Sequence, residues 1–218
     1  MKKDVIEAIA TRKIIAIVRG IYTEHALGLA RALNAGGVTL MEVTFHQSDP
    51  EQQRLTVETI RMLNQELGAE MCFGAGTVTS VDMVKMAYEA GCAFVVSPDT
   101  NEDVIRATAR MGMVSVPGAL TPTEIKRAYD FGADYVKVFP ACNMGVSYFK
   151  NIHAPLAQVP LLAVGGVSEN DAADYLTAGC SGIGVAGCLF KKEWIVNGEW
   201  SRITEAARTL CDRVGLTV

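Results

Sequence analysis

The chain has 218 residues, half of them hydrophobic and a fifth charged, which is enough apolar material for one large core and too much for a disordered segment. Its formal charge of −4 excludes the basic surface that neutralises nucleic-acid phosphates, and no apolar run approaches the roughly 18 residues of a membrane-spanning helix. The opening MKKDVIEAIATRK reads as a short amphipathic helix and not as a leader, so a cytoplasmic protein is expected.

Taken in chain order, the rest alternates between short apolar runs and longer amphipathic ones. The runs IIAIV (14–18), TLMEVTF (39–45), EMCFGAG (70–76), AFVVSP (93–98), MVSVPG (113–118), DYVKVF (134–139), LLAVGG (161–166) and GIGVAG (182–187) are β-branched or small and almost continuously apolar. Parallel strands covered on both faces look like this. Between them, TEHALGLARALNAGG opens on a candidate cap, Thr23, and closes on two glycines. DPEQQRLTVETIRMLNQELG carries proline and acids in its first turn. SVDMVKMAYEAG, TNEDVIRATARMG, TPTEIKRAYDFG and SENDAADYLTAG repeat one design, with Ser/Thr at the start, early acids and a terminal glycine. A last helix is expected near 199–212. Eight strands alternating with helices, with no linker between them, predict a single (β/α)₈ barrel spanning 1–218, preferred to an open doubly wound sheet.

Cysteines 72, 92, 142, 180, 188 and 211 are scattered without a CxxC pair, and read as reduced thiols within apolar stretches. The three histidines form no metal-binding motif, so no metal and no cofactor are expected. The run GIGVAG fits a dinucleotide fingerprint, but its glycines fall in the strand itself and no acid-terminated strand follows about 20 residues on, so it is set aside as chance.

Ionisable side chains are scarce inside the strand runs, and two stand out: Glu42 in LMEVTF and Lys137 in YVKVF. Side chains alternate along a strand, so Lys137 faces away from Val136 and Val138, and Leu40, Glu42 and Thr44 share a face opposite Met41, Val43 and Phe45. In a barrel both charges enter near the C-terminal ends of the second and sixth predicted strands, where barrel enzymes work. A buried ion pair is the plain structural alternative, though such pairs contribute little stability. A desolvated lysine favours its neutral form, the nucleophile for carbonyls. Glycine clusters at 74–77, 165–166 and 184–187 allow close approach of backbone N–H groups to an anion, or simply tight turns.

The motifs IIAIVRG, EVTF, GAGTV, VSP, PGALTPTE, VKVFPA and VGGV together resemble the 2-keto-3-deoxy-6-phosphogluconate (KDPG) / 4-hydroxy-2-oxoglutarate (KHG) aldolase family over essentially the whole chain. The resemblance implies a class I aldolase that cleaves a 4-hydroxy-2-keto acid to pyruvate and an aldehyde. Lys137 then matches the Schiff-base lysine and Glu42 the proton shuttle. Thr77, Pro98 and Phe139 match residues around the pyruvate end, and Gly165, Gly166 and Gly187 the backbone anion site. Arg19 matches a carboxylate partner found in part of the family. A homotrimer without metal is implied, with a small 2-keto acid as its substrate and neither nucleic acid nor membrane as a partner. Two positions depart from the pattern: EVTFH places His46 where better-known members have arginine, and Ala186-Gly187 stands where they have Gly-Ser. Both changes put the far end of the substrate in doubt. Two other readings stay open on sequence: a catalytically silent barrel that binds a sugar acid, and a different phosphate-binding barrel enzyme.

Overall fold

A computed structural model describes residues 2–216. Nine strands form one sheet: β1 (Ile14–Val18), β2 (Leu40–Thr44), β3 (Cys72–Gly76), β4 (Phe94–Val96), β5 (Val114–Val116), β6 (Gly118–Ala119), β7 (Val136–Val138), β8 (Leu161–Val164) and β9 (Gly182–Val185). Their order is β5-β4-β3-β2-β1-β9-β8-β7-β6, and every pairing is parallel. The two ends of this order, β5 and β6, are separated in sequence by Pro117 alone. They are one barrel strand, interrupted where proline supplies no N–H to the ladder, so the sheet closes on itself. The expected eight-stranded barrel is therefore present, with its fifth strand in two pieces.

The helices are α1 (Lys2–Arg12), α2 (Thr23–Ala35), α3 (Pro50–Leu67), α4 (Val81–Glu89), α5 (Glu102–Arg110), α6 (Pro122–Asp130), α7 (Ala141–Met144), α8 (Val146–His153), α9 (Ala172–Thr177), α10 (Lys192–Val196) and α11 (Trp200–Arg213). Their starts follow local chemistry. Asp49 accepts from the N–H groups of Glu51 and Gln52 ahead of α3, Ser80 from Met83 ahead of α4, and Thr121 forms a reciprocal capping box with Glu124 ahead of α6. The cap of α5 is Asn101, one residue later than the threonine expected, because the Thr100 hydroxyl donates instead to the Gly118 carbonyl at 2.7 Å. Thr23 does not cap α2. Its backbone is left-handed, with φ 51°, and its N–H goes to the Thr59 hydroxyl at 3.0 Å. Ser168 closes a turn with Asp171, whose carboxylate accepts from its N–H and hydroxyl at 2.7 and 3.0 Å, and α9 begins only after it.

Two apolar cores result. Outward strand residues such as Met41, Val43, Phe73, Val95, Val136 and Val138 meet the helices. Inward residues Ile15, Leu40, Phe94, Val114, Leu162 and Val164 pack inside the barrel, and Val5 and Ile9 of α1 join the same cluster from below. Helix α1 closes the N-terminal end of the barrel. It is tied there by a hydrogen bond from the Tyr135 hydroxyl to the Ile6 carbonyl at 2.9 Å and by a Lys2–Asp134 ion pair at 2.9 Å. Among the described residues no helix is long and apolar enough to cross a membrane.

Candidate active site at the C-terminal mouth

Above the apolar floor the barrel interior turns polar. Glu42 and Lys137 are 2% and 7% exposed, and the valines flanking Lys137 are fully buried on the other face of β7. The strand alternation read from sequence is thus the geometry found.

Strand register fixes how the two groups face each other. Stepping from Lys137 through β8, β9 and β1, the partners are Leu162, Gly182, Lys13 and then Val38, the last two by one- and two-residue extension of the Ile14–Ile183 and Ile15–Leu40 pairs. Stepping the other way, they are Gly118, Pro98, Val78 and His46, by extension of Val96–Val116, Gly74–Phe94 and Glu42–Gly74. The two routes reach the second strand at 38 and 46, eight residues apart, which is the shear of a closed eight-stranded barrel. Each route takes four strand steps. The residue at the height of Lys137 on the opposite wall is the midpoint, and that residue is Glu42.

The carboxylate of Glu42 lies against β3: a Cβ on Gly76 would stand 2.6 Å from its Oε1, so only glycine leaves it room. Burial raises the Glu42 pKa above the usual carboxylate value, opposed by the charges of Lys137 and then Arg19. Burial lowers the Lys137 pKa below the usual amine value, with Glu42 opposing and Arg19 adding to the effect. Desolvation moves both groups toward their neutral forms. Among the described residues no ion pair within 4.0 Å joins them, so the buried salt bridge open on sequence is not formed. The Lys137 Nζ lies 4.9 Å from the Phe139 ring centroid instead.

The other expected residues divide. Arg19, at the end of β1, donates to the Thr77 hydroxyl at 3.0 Å, and Thr77 holds a left-handed backbone, φ 57°. Gln47 secures that turn by donating to the Thr77 carbonyl at 2.6 Å, a contact with no signal in the sequence. Pro98 abuts Gly118, where a Cβ would stand 2.3 Å from the Pro98 carbonyl oxygen. Gly165, with φ 95°, accommodates the half-exposed Phe139 ring, 2.9 Å from where its Cβ would be. Gly165, Gly166 and Gly187 line a cavity of about 400 Å³ with Ile17, Ser168 and Cys188. Ile17 pairs with Glu42 in register, so this cavity adjoins the Glu42–Lys137 chamber. His46 is exposed and does not line the glycine cavity. Its Nδ1 accepts from the Ser48 N–H at 3.4 Å and its carbonyl from Gln53 at 2.8 Å, which turns the ring along its own loop.

A family profile described as "Aldolase: KDPG and KHG aldolase" matches residues 5–206. The chain belongs to the KDPG and KHG aldolase family. A probable 2-dehydro-3-deoxy-6-phosphogalactonate aldolase of Rhizobium meliloti is 38% identical to this aldolase over 83% of the chain and 82% of its own. The KHG/KDPG aldolase of Escherichia coli is 32% identical over 92% and 91%. Among solved structures, the KDPG aldolase of Legionella pneumophila, with pyruvate captured as a covalent carbinolamine, superposes with a TM-score of 0.84 at 26% identity, covering 94% of this chain and 97% of that one. Membership makes the protein an aldolase, hence a carbon–carbon lyase on a (β/α)₈ barrel.

Proposed function

We propose that this aldolase reversibly cleaves a 4-hydroxy-2-keto acid to pyruvate and an aldehyde through a Schiff base on Lys137. The observation that carries the reading is the pair of buried, unbonded groups at one height on opposite walls, the amine held below its ordinary pKa. The neutral Lys137 amine attacks C2 of the substrate, and Glu42 delivers the proton with which the carbinolamine hydroxyl leaves as water. The resulting iminium accepts the C3–C4 electron pair while the base takes the C4 hydroxyl proton. The aldehyde departs, C3 of the enamine is protonated, and water returns Lys137 and pyruvate. Thr77, Pro98, Phe139 and Arg19 enclose the pyruvate end in this scheme, with Arg19 facing the carboxylate. The relatives' names support substrates such as 2-dehydro-3-deoxy-6-phosphogluconate or 4-hydroxy-2-oxoglutarate. The backbone N–H groups of Gly165, Gly166 and Gly187 are the proposed seat for a distal anion. Family membership also supports a homotrimer of 23.4-kDa chains working in the cytoplasm.

Borohydride added to the enzyme with pyruvate should fix one pyruvate-derived adduct on Lys137 and end activity irreversibly. Peptide mass spectrometry decides, and label on a different lysine, or none, overturns the mechanism.

The His46 ring is turned along its own loop, and arginine in its place is the variant that would bring a charge toward the distal end. Arginine brings a permanent charge and a two-pronged donor that histidine lacks. His46→Arg should therefore raise kcat/KM for a phosphorylated over an unphosphorylated 4-hydroxy-2-keto acid by about ten-fold or more, on the scale of one charge-assisted hydrogen bond. An unchanged ratio would leave position 46 outside substrate recognition.

A further inference from the structure

Thr44 is the last residue of β2 and lies on its inward face, two residues beyond Glu42. It is 2% exposed, and its Oγ1 is buried with no hydrogen-bond partner among the described residues. A valine would fill the same volume without burying an unpaired hydroxyl, which costs free energy by desolvation. Strand β2 runs between β1 and β3. One step beyond the Val18–Val43 pair brings Arg19 level with Thr44, and on the other side Thr44 pairs with Gly76, directly before Thr77. The Arg19 guanidinium donates to the Thr77 hydroxyl at 3.0 Å. That bond joins β1 to β3, strands about 9.6 Å apart across the sheet, so it crosses the inward side of β2 at the height of Thr44. The Glu42 carboxylate borders the same spot: its Oε1 and the Thr44 Cγ2 are 2.6 and 2.9 Å from where a Gly76 Cβ would be. It accepts nothing from Thr44.

One rung of the sheet thus gathers a guanidinium and two hydroxyls, and it lacks an anion. Among the described residues Arg19 joins no ion pair within 4.0 Å. Thr77 accepts from Arg19 and keeps its own hydrogen to give, and Thr44 has its hydrogen free. We infer that the Thr44 hydroxyl donates to the carboxylate of the bound keto acid, as the third donor of a seat shared with Arg19 and Thr77. The carboxylate carbon is one bond from the C2 that joins Lys137, so it is the anion nearest the amine at every stage of the reaction. Held against β1, β2 and β3, it presents C2 to Lys137. Pyruvate retains this half of the substrate and makes the contact alone, while the departing aldehyde does not make it. The assignment rests on the Schiff-base reading above, in which Arg19 faces the carboxylate.

Exchange of solvent deuterium into the pyruvate methyl group, followed by NMR, yields kcat and KM for pyruvate with no aldehyde present. Thr44→Val keeps the shape and removes the hydroxyl. Its KM for pyruvate should rise about ten-fold or more, the scale of one hydrogen bond to a charged group, with kcat for exchange changed far less. In the synthetic direction at saturating pyruvate, its KM for glyceraldehyde 3-phosphate should stay as it was. Thr44→Ser should recover most of the lost pyruvate affinity, and the valine variant's Tm should be no lower than that of the unsubstituted enzyme. An unchanged pyruvate KM overturns the assignment. So does a loss confined to kcat, which would put the hydroxyl at the C2 oxygen, and so does a raised aldehyde KM, which would put it across the broken bond. A lowered Tm in the valine variant would show a partner within the fold and overturn it as well. Failure of the unsubstituted enzyme to exchange pyruvate deuterium at all would sink the Schiff-base mechanism itself, and that result is visible before any variant is made.

Discussion

Lys137→Met is expected to lower turnover on the order of 10⁶-fold, the scale seen when a covalent nucleophile is removed, while the folded protein becomes more stable. Methionine matches the length of the lysine stem and fills the space between the floor and the Phe139 ring, but it cannot form an iminium. The stability gain follows from burial. Lys137 is 7% exposed, has no ion-pair partner among the described residues, and its pKa is held below 10.5, first by desolvation. A lysine with a depressed folded-state pKa destabilises the fold fully at pH below that pKa, and the penalty fades as pH rises toward the unfolded value. The Tm advantage of Lys137→Met should accordingly be largest in acid and vanish above about pH 10.4. Scanning calorimetry across that range checks the sign, and a variant retaining one per cent or more of turnover would place the nucleophile elsewhere.

Glu42→Gln should slow cleavage by roughly 10²–10⁴-fold, the range for a lost general acid–base group. The amide keeps the contour that lies against Gly76, so the fold should persist, but it exchanges no proton at the carbinolamine or at the C4 hydroxyl. A second effect has a definite sign. The attraction of Glu42 is the one influence that raises the Lys137 pKa against burial; without it the amine loses its proton at lower pH. The acid limb of the residual pH–rate profile should move toward acid. Near-normal turnover, or an acid limb shifted toward alkali, would take the proton transfers away from Glu42.

The barrel and its two central residues were legible because parity along a strand is a local property. Val136, Lys137 and Val138 need only alternate for the lysine to point inward, and the sheet around them is built from similar short runs. Whether Lys137 and Glu42 would pair was not legible. That depends on the stagger of the whole sheet, which puts them at one height on opposite walls. Capping was read correctly where the side chain and the helix start are adjacent, as at Ser80 and Thr121. It failed at Thr23, whose N–H is claimed by Thr59 from a helix more than 30 residues away. Helices α7 and α8 carry no Ser/Thr opening and are divided by Gly145 at φ 73°, so a pattern built on such caps passes over them. Pro117 hid in a run that reads as one strand. Thr44 shared the inward face with Glu42 on sequence, but that its buried hydroxyl has no hydrogen-bond partner among the described residues emerges only once Arg19 and Thr77 have been seen to bond each other.

The plug formed by α1 also dictates a sequence of events in time. A chamber with one opening is a stack: what enters first leaves last. In the proposed reaction the pyruvyl fragment is tethered at Lys137, near the floor, and the aldehyde fragment lies between it and solvent. The aldehyde must clear the mouth before pyruvate can be hydrolysed free and follow. In the synthetic direction pyruvate must enter first, because an aldehyde already seated would bar its way. In the proposed scheme the helix that seals the far end thereby sets a kinetic order for both directions of the reaction, without touching either substrate.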